Sequence, residues 1–106
     1  MERLATINGV RYTQAEAEIV RLNQDLLNSI VSGDTKKYLE LCDPSLTAFE
    51  PEACGHLVVG MDFHKHYLNL TMKKVGDHYS GQQNMIQPHV RMCGDSTAVC
   101  SYVRMV

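Results

Sequence analysis

The residues of this chain that can bind metals or transfer protons include five histidines and twelve aspartates and glutamates. The densest group is His64-Lys65-His66, which has the composition of a metal-binding pair. On a helix, residues two positions apart point about 200° apart, so these two imidazoles do not bind one ion. There is also no glycine-rich phosphate loop. We therefore predict neither a metal site nor a cofactor.

Three acidic residues have the chemistry of general acids or bases. Asp62 stands before an apolar-periodic segment, where an N-cap explains its carboxylate better than catalysis does. Glu50 and Glu52 flank Pro51 in a loop, and we expect them to contact another subunit or solvent. The chain carries no kinase motif and no catalytic dyad. We therefore predict no catalytic residues and no enzyme.

Three helices are expected to position these groups. The first begins at Thr13-Gln14-Ala15-Glu16, a capping box, and an apolar stripe of about 20 residues runs from it to Gly33. The other two predicted helices are Thr35 to Cys42, capped by Asp34, and Phe63 to Val75. In the last of these, Phe63 begins the apolar row that should face the sheet.

With the strand signals, the predicted order of elements is helix, helix, two strands, helix and a hairpin. Helices and strands do not alternate as in βαβ units, so this order predicts an α+β fold. Residues Met1 to Tyr12 show no clear period, and we predict a loose lead-in at 1–12 followed by one domain at 13–106. The predicted strands are Leu46 to Phe49, Leu57 to Val59, Ile86 to Met92 and Thr97 to Val106.

The composition excludes several classes of protein. The chain has 106 residues and a net charge of −2, without a basic block, which argues against nucleic acid as a partner. No apolar run approaches the length of a membrane span, so we expect no membrane partner. Four cysteines occur without a C-x-x-C spacing, which favours reduced thiols in a cytoplasmic protein.

The segment from Cys42 to Ala53 closely resembles the association, or hub, domain of calcium/calmodulin-dependent protein kinase II. Gly60-Met61-Asp62-Phe63-His64, Pro88-His89-Val90 and Tyr102-Val103-Arg104 follow in the order of that family. The resemblance implies the nuclear transport factor two-like fold, a cone-shaped curved antiparallel sheet wrapped around a long N-terminal helix. Family members continue past the position of Val106 with about two more strands, so the domain is expected to be short at its C-terminus.

The resemblance also implies a polar pocket at the mouth of the cone. Tyr38, His64 and Arg104 match pocket positions. An arginine there offers a two-pronged donor to a small carboxylate, which tyrosine and histidine can orient. The competing interpretation is that Arg104 pairs with a buried acid and that Tyr38 is a core residue.

The function implied by the resemblance is assembly. Such a domain self-associates into a ring-shaped homo-oligomer of two layers that scaffolds kinase subunits of the same family. A small enzyme or carboxylate-binding protein of the same fold, using Tyr38, His64 and Arg104, is the alternative. The residues predicted to form the interface between subunits are Phe49, Glu50, Pro51, Glu52 and Val59.

Overall fold

The computed structural model describes residues 4–75 and 84–105, and the side chains of 70–75 are not described. The helices are α1 (Gln14–Ser32), α2 (Thr35–Leu41), α3 (Asp62–Val75) and a 3₁₀ helix at Pro51–Ala53. The strands are β1 (Leu4–Ile7), β2 (Val10–Thr13), β3 (Thr47–Phe49), β4 (Leu57–Val59), β5 (Asn84–Met92) and β6 (Ala98–Met105).

All strand pairing in the described part of the chain is antiparallel. β1 pairs with β2, β3 with β4, and β5 with β6. Contacts divide the chain into two compact units, Met1–Asn28 with Gln82–Val106, and Ser29–Gly81. The first unit holds β1, β2, β5, β6 and most of α1, whereas the second holds α2, β3, β4 and α3. The predicted mixture of helices and antiparallel strands is confirmed.

A β-hairpin occupies residues 4–13, so the prediction of a loose lead-in over 1–12 is wrong for residues 4–12. Residues 1–3 lie outside the described residues. Asn8 (φ 50°) and Gly9 (φ 82°) form the two-residue turn, and Ile7 pairs with Val10 on either side of it. Positive φ at both turn positions matches the right-handed twist of the strands, and Asn-Gly is the dipeptide that best adopts it. Each strand has only four residues, which is too short to show a clear period.

Tyr12 joins this hairpin to β5 within the first unit. Its hydroxyl donates a hydrogen bond to the carbonyl oxygen of Pro88 at 2.7 Å, and the side chain is only 5 % exposed. The carbonyl lies at a bulge where the register shifts between Ile86 and His89 and where Gln87 has φ 50°. Proline has no N–H to give to a ladder, so a bulge suits it.

The capping box at the start of α1 is confirmed. The Glu16 N–H donates to Thr13 Oγ1 at 3.2 Å, and the Thr13 N–H donates to Glu16 Oε1 at 2.8 Å. Two amides that a helix start would leave unpaired are thereby satisfied. The following stripe buries Ala17, Val20 and Leu27.

The turn between α1 and α2 also follows the prediction. Gly33 has φ 73°, and the Asp34 N–H donates back to the carbonyl of Ser29 at 2.9 Å, the long bond of a Schellman ending. Asp34 then caps α2 by accepting from the Lys37 N–H at 3.0 Å. One residue therefore takes part in both the end of α1 and the start of α2.

Tyr12→Phe should lower the free energy of unfolding by about 1 kcal/mol, because the Pro88 carbonyl loses its donor. Burial, with smaller contributions from the charges of Cys100 and Glu16, raises the pKa of Tyr12 above its usual value of about 10. Above that pH the unfolded chain loses the phenol proton while the native state keeps it. The advantage of the wild type over Tyr12→Phe should therefore be constant below about pH 9 and shrink as the pH rises past 10.

Urea denaturation of both variants at a series of pH values measures this difference. The matched control is Tyr102→Phe in β6, whose hydroxyl has no hydrogen-bond partner among the described residues. Equal losses for Tyr12→Phe and Tyr102→Phe would show that the Tyr12 bond does not stabilise the hairpin.

Candidate functional site

An exposed apolar face lies on the β3–β4 pair in the second unit. Phe49 pairs with Leu57, and Val59 pairs with Thr47, so all four side chains share one face. Phe49 is 76 % exposed, Leu57 53 % and Val59 69 %. Val58 points to the other face and is buried. We call the exposed surface formed by Phe49, Leu57 and Val59 the strand face.

The link between β3 and β4 continues this surface. It contains the 3₁₀ helix, in which Pro51 and Glu52 are both exposed, and it ends at Cys54 with φ 53°. Of the predicted interface residues, Phe49, Pro51, Glu52 and Val59 are therefore accessible. Their contact with a second copy stays a prediction.

Glu50, the fifth of these residues, is bound within its own chain. Its Oε1 lies 2.9 Å from Nε2 of His64. The His64 side chain is 9 % exposed and that of Glu50 is 34 % exposed. A buried imidazole needs a hydrogen-bond partner, and the Glu50 carboxylate supplies one. This contact was not predicted from the sequence, because the two residues are 14 positions apart and belong to different elements.

Tyr38 completes a small aromatic and polar cluster around His64. The two rings are 6.4 Å apart at 31°, and the ring of Phe63 meets His64 edge-on at 6.0 Å. Nδ1 of His64 is buried, and no group of the described residues lies within hydrogen-bond distance of it. Burial raises the pKa of the Cys42 thiol, while a hydrogen bond with Tyr38 acts in the opposite direction. The cluster thus brings together two of the three predicted pocket residues.

Arg104, the third, is exposed on β6, opposite Met85, in the first unit. Its role beside Tyr38 and His64 stays a prediction. Sequence reasoning had not placed Glu50 in this pocket.

At the start of α3, the buried side chains differ from the prediction. Met61 and His64 are buried, whereas Phe63 is half-buried and Tyr67 is 36 % exposed. Phe63 stacks on Tyr67 instead, with centroids 4.7 Å apart. The buried residue of this turn is the polar His64, with which Glu50 pairs, and not Phe63. That the apolar row faces the sheet stays a prediction, because the side chain of its third member, Leu70, lies outside the described ones. Asp62 is the first helical residue rather than the cap, and there its charge still favours the helix start.

The remaining predictions concern His66, metal binding and membrane spans. His66 contacts the ring of Tyr67, 5.5 Å away, and is exposed, unlike the buried His64. Among residues 4–75 and 84–105, no three ligating side chains come close enough to hold a metal ion. Within the same residues, no helix combines the length and apolar character of a membrane span.

Three solved structures similar to this chain are hub or association domains of calcium/calmodulin-dependent protein kinase II. The hub homology domain of C. reinhardtii matches with TM-score 0.75 and 47 % identity, covering 87 % of this chain and 71 % of that one. The C. elegans association domain matches with TM-score 0.69 and 34 % identity, covering 85 % and 66 %. The S. rosetta hub gives TM-score 0.67 and 33 % identity, covering 83 % and 64 %. The predicted fold class, α+β of the nuclear transport factor two-like type, is confirmed.

The family follows from the sequence match. Residues 15–106 match the model of the calcium/calmodulin dependent protein kinase II association domain, and the chain belongs to this family. It is 42 % identical over 88 residues to the type II alpha chain of Drosophila melanogaster and 40 % identical to the type II subunit delta of Oryctolagus cuniculus. Each match covers 83 % of this chain but 16 % of the relative. The chain therefore corresponds to the association, or hub, domain of this family.

Glu50→Ala should lower the free energy of unfolding by about 1–2 kcal/mol, because it leaves Nε2 of the buried His64 without its acceptor. Glu52→Ala removes the same charge from an exposed position two residues away and should change stability by less than about 0.5 kcal/mol. Chemical denaturation of the two variants at neutral pH makes the comparison. Equal stability of both variants would mean that the Glu50–His64 contact contributes nothing to the fold.

Proposed function

We propose that this chain self-associates into a ring-shaped homo-oligomer and acts as an assembly domain. The observation that carries the proposal is the strand face, in a chain of the association-domain family. Burial of one such side chain contributes about 1.5–3 kcal/mol, whereas contiguous exposed apolar residues mark interaction sites. A second copy of the same chain is the partner that the family supports.

A second apolar face supports a ring rather than an isolated dimer. On β6, Val99, Val103 and Met105 are each more than half exposed, and Ile86 of β5 pairs with Val103 on the same side. A closed ring needs two different contact surfaces on each subunit, since each copy touches a neighbour on either side. The strand face and this β6 face are two such surfaces. The two-layer arrangement of the ring is proposed from the resemblance to the hub family.

Kinase subunits of the same family are the proposed further partners. The curated relatives are named as kinase chains, and the part that matches here is 16 % of their length. Chains that share an association domain can enter one assembly, which would let this chain hold kinase subunits together. The proposed location is the cytoplasm, supported by the unpaired thiols of Cys42, Cys54, Cys93 and Cys100.

A small carboxylate stays a proposed ligand of Tyr38, His64 and Arg104. The cluster of Tyr38 and His64 supports it by providing a buried polar surface. Because Glu50 already holds Nε2, an added anion could bind this imidazole only through Nδ1.

The assembly is tested by light scattering after size-exclusion chromatography. We expect the wild type to have a mass of several times 11.9 kDa at micromolar concentration. Phe49→Lys should shift the mass to a smaller species, because a charge on the strand face opposes its burial. The matched control is Leu4→Lys, an apolar residue that is 54 % exposed but lies outside the matched residues 15–106.

Circular dichroism must show that each variant is folded. A folded wild type with the mass of one subunit contradicts the assembly function. An oligomeric wild type whose mass is unchanged by Phe49→Lys contradicts the use of the strand face while leaving assembly itself intact.

A further inference from the structure

A cleft of about 260 Å³ lies within the first unit, between the β1–β2 hairpin, α1 and the bulge of β5. Its walls are mainly apolar and include Val10, Tyr12, Met85 and Pro88. An apolar cavity of about 150 Å³ holds a benzene ring, and pockets for drug-sized molecules begin at about 300 Å³. The cleft therefore suits one ring, or a short aliphatic chain, with one small polar group.

The polar residues at this cleft include a single cation. Arg21 of α1 lies at the cleft with the amides of Gln24 and Gln87. Arg21 is exposed, and within the described residues no carboxylate lies within ion-pair distance of its guanidinium. The Gln24 amide already donates to Asn28 Oδ1 at 3.0 Å, so the donors that match a monocarboxylate are the Arg21 guanidinium and the Gln87 amide. A nucleotide would exceed the volume and would need more positive charge.

The backbone at the cleft is held in an unfavourable conformation. Gln87 has φ 50° at the bulge, although it is neither glycine nor asparagine. The hydrogen bond from the Tyr12 hydroxyl to the carbonyl oxygen of Pro88 holds the backbone of the residue that follows Gln87. Such strain persists where the surroundings determine it, and it is concentrated at binding sites. Gln87 is one of the residues that line the cleft.

One wall of the cleft comes from outside the family domain. The hairpin residues Ile7, Asn8 and Val10 line it, whereas the family match begins at residue 15. The site therefore depends on an element that precedes the hub-like part, and the residues that line it do not include Tyr38, His64 or Arg104.

We propose that this cleft binds a small monocarboxylic acid with an apolar body, its ring or chain against Val10, Met85 and Pro88 and its carboxylate on Arg21. Because Arg21 is solvent-exposed, the affinity is modest, on the order of millimolar for benzoate. The carboxylate sets the orientation, while the apolar walls set the size of the ligand.

Saturation-transfer NMR on the full chain, with benzoate up to about 20 mM as the probe, measures the affinity. Arg21→Gln should weaken benzoate by about threefold to fivefold, and Arg21→Lys should weaken it less. The matched control is Arg11→Gln, an exposed arginine of the same hairpin that does not line the cleft. Benzyl alcohol, the uncharged analogue, should bind the wild type more weakly than benzoate and should be unaffected by Arg21→Gln.

Each contrary result overturns the proposal. No benzoate binding by the folded wild type removes the site. Equal weakening by Arg11→Gln and Arg21→Gln means only a general attraction between charges. Loss of binding in Arg104→Gln with full binding in Arg21→Gln assigns the carboxylate to the other predicted pocket. Equal affinity for benzyl alcohol removes the role of Arg21.

Discussion

Side chains of a β-strand alternate between two faces, and this constraint governs the surface of the protein. In β3 and β4 the alternation buries Val58 and exposes Phe49, Leu57 and Val59. A shift of the register by one residue would exchange the two faces, so no register buries both sets. The proposed assembly would cover the exposed set with another copy of the chain, which agrees with membership of the association-domain family.

The second unit also contains a polar contact that the alternation of strand side chains does not explain. His64 is buried and bound to Glu50, which directly precedes the 3₁₀ helix and follows the exposed Phe49. The contact ties the β3–β4 link to α3, so the segment carrying the strand face is held by a buried imidazole. Tyr38 on α2 stacks against the same ring. A substitution of His64 would thus alter the position of Glu50 and of the neighbouring strand face, although His64 itself is not part of that face.

The N-terminal hairpin adds an element before the family domain. It is attached by the Tyr12–Pro88 hydrogen bond on one side and by the capping box on the other. Because Tyr12 and Thr13 are adjacent, the hairpin has little freedom to move relative to the start of α1. This attachment creates the cleft beside Arg21, a feature that the hub-like residues do not form by themselves.

The sequence by itself determined the features that depend on neighbouring residues. The capping box, the Gly33 ending and the Asp34 cap each join groups within five positions, so residue type alone specifies them. The Cys42 to Ala53 segment identified the family, and with it the fold. The Asn8-Gly9 dipeptide is also a local turn signal. It was not used to predict a hairpin, because the strands on either side have only four residues each.

Only the tertiary structure decided the contacts between distant residues. The Glu50–His64 pair spans 14 positions and the Tyr12–Pro88 bond spans 76. The inward turn of His64 on α3 and the bulge at Gln87 depend on these partners. A helical or strand pattern specifies which side chains share a face, but not which face is covered. That choice depends on the partner that the folded chain brings to each face.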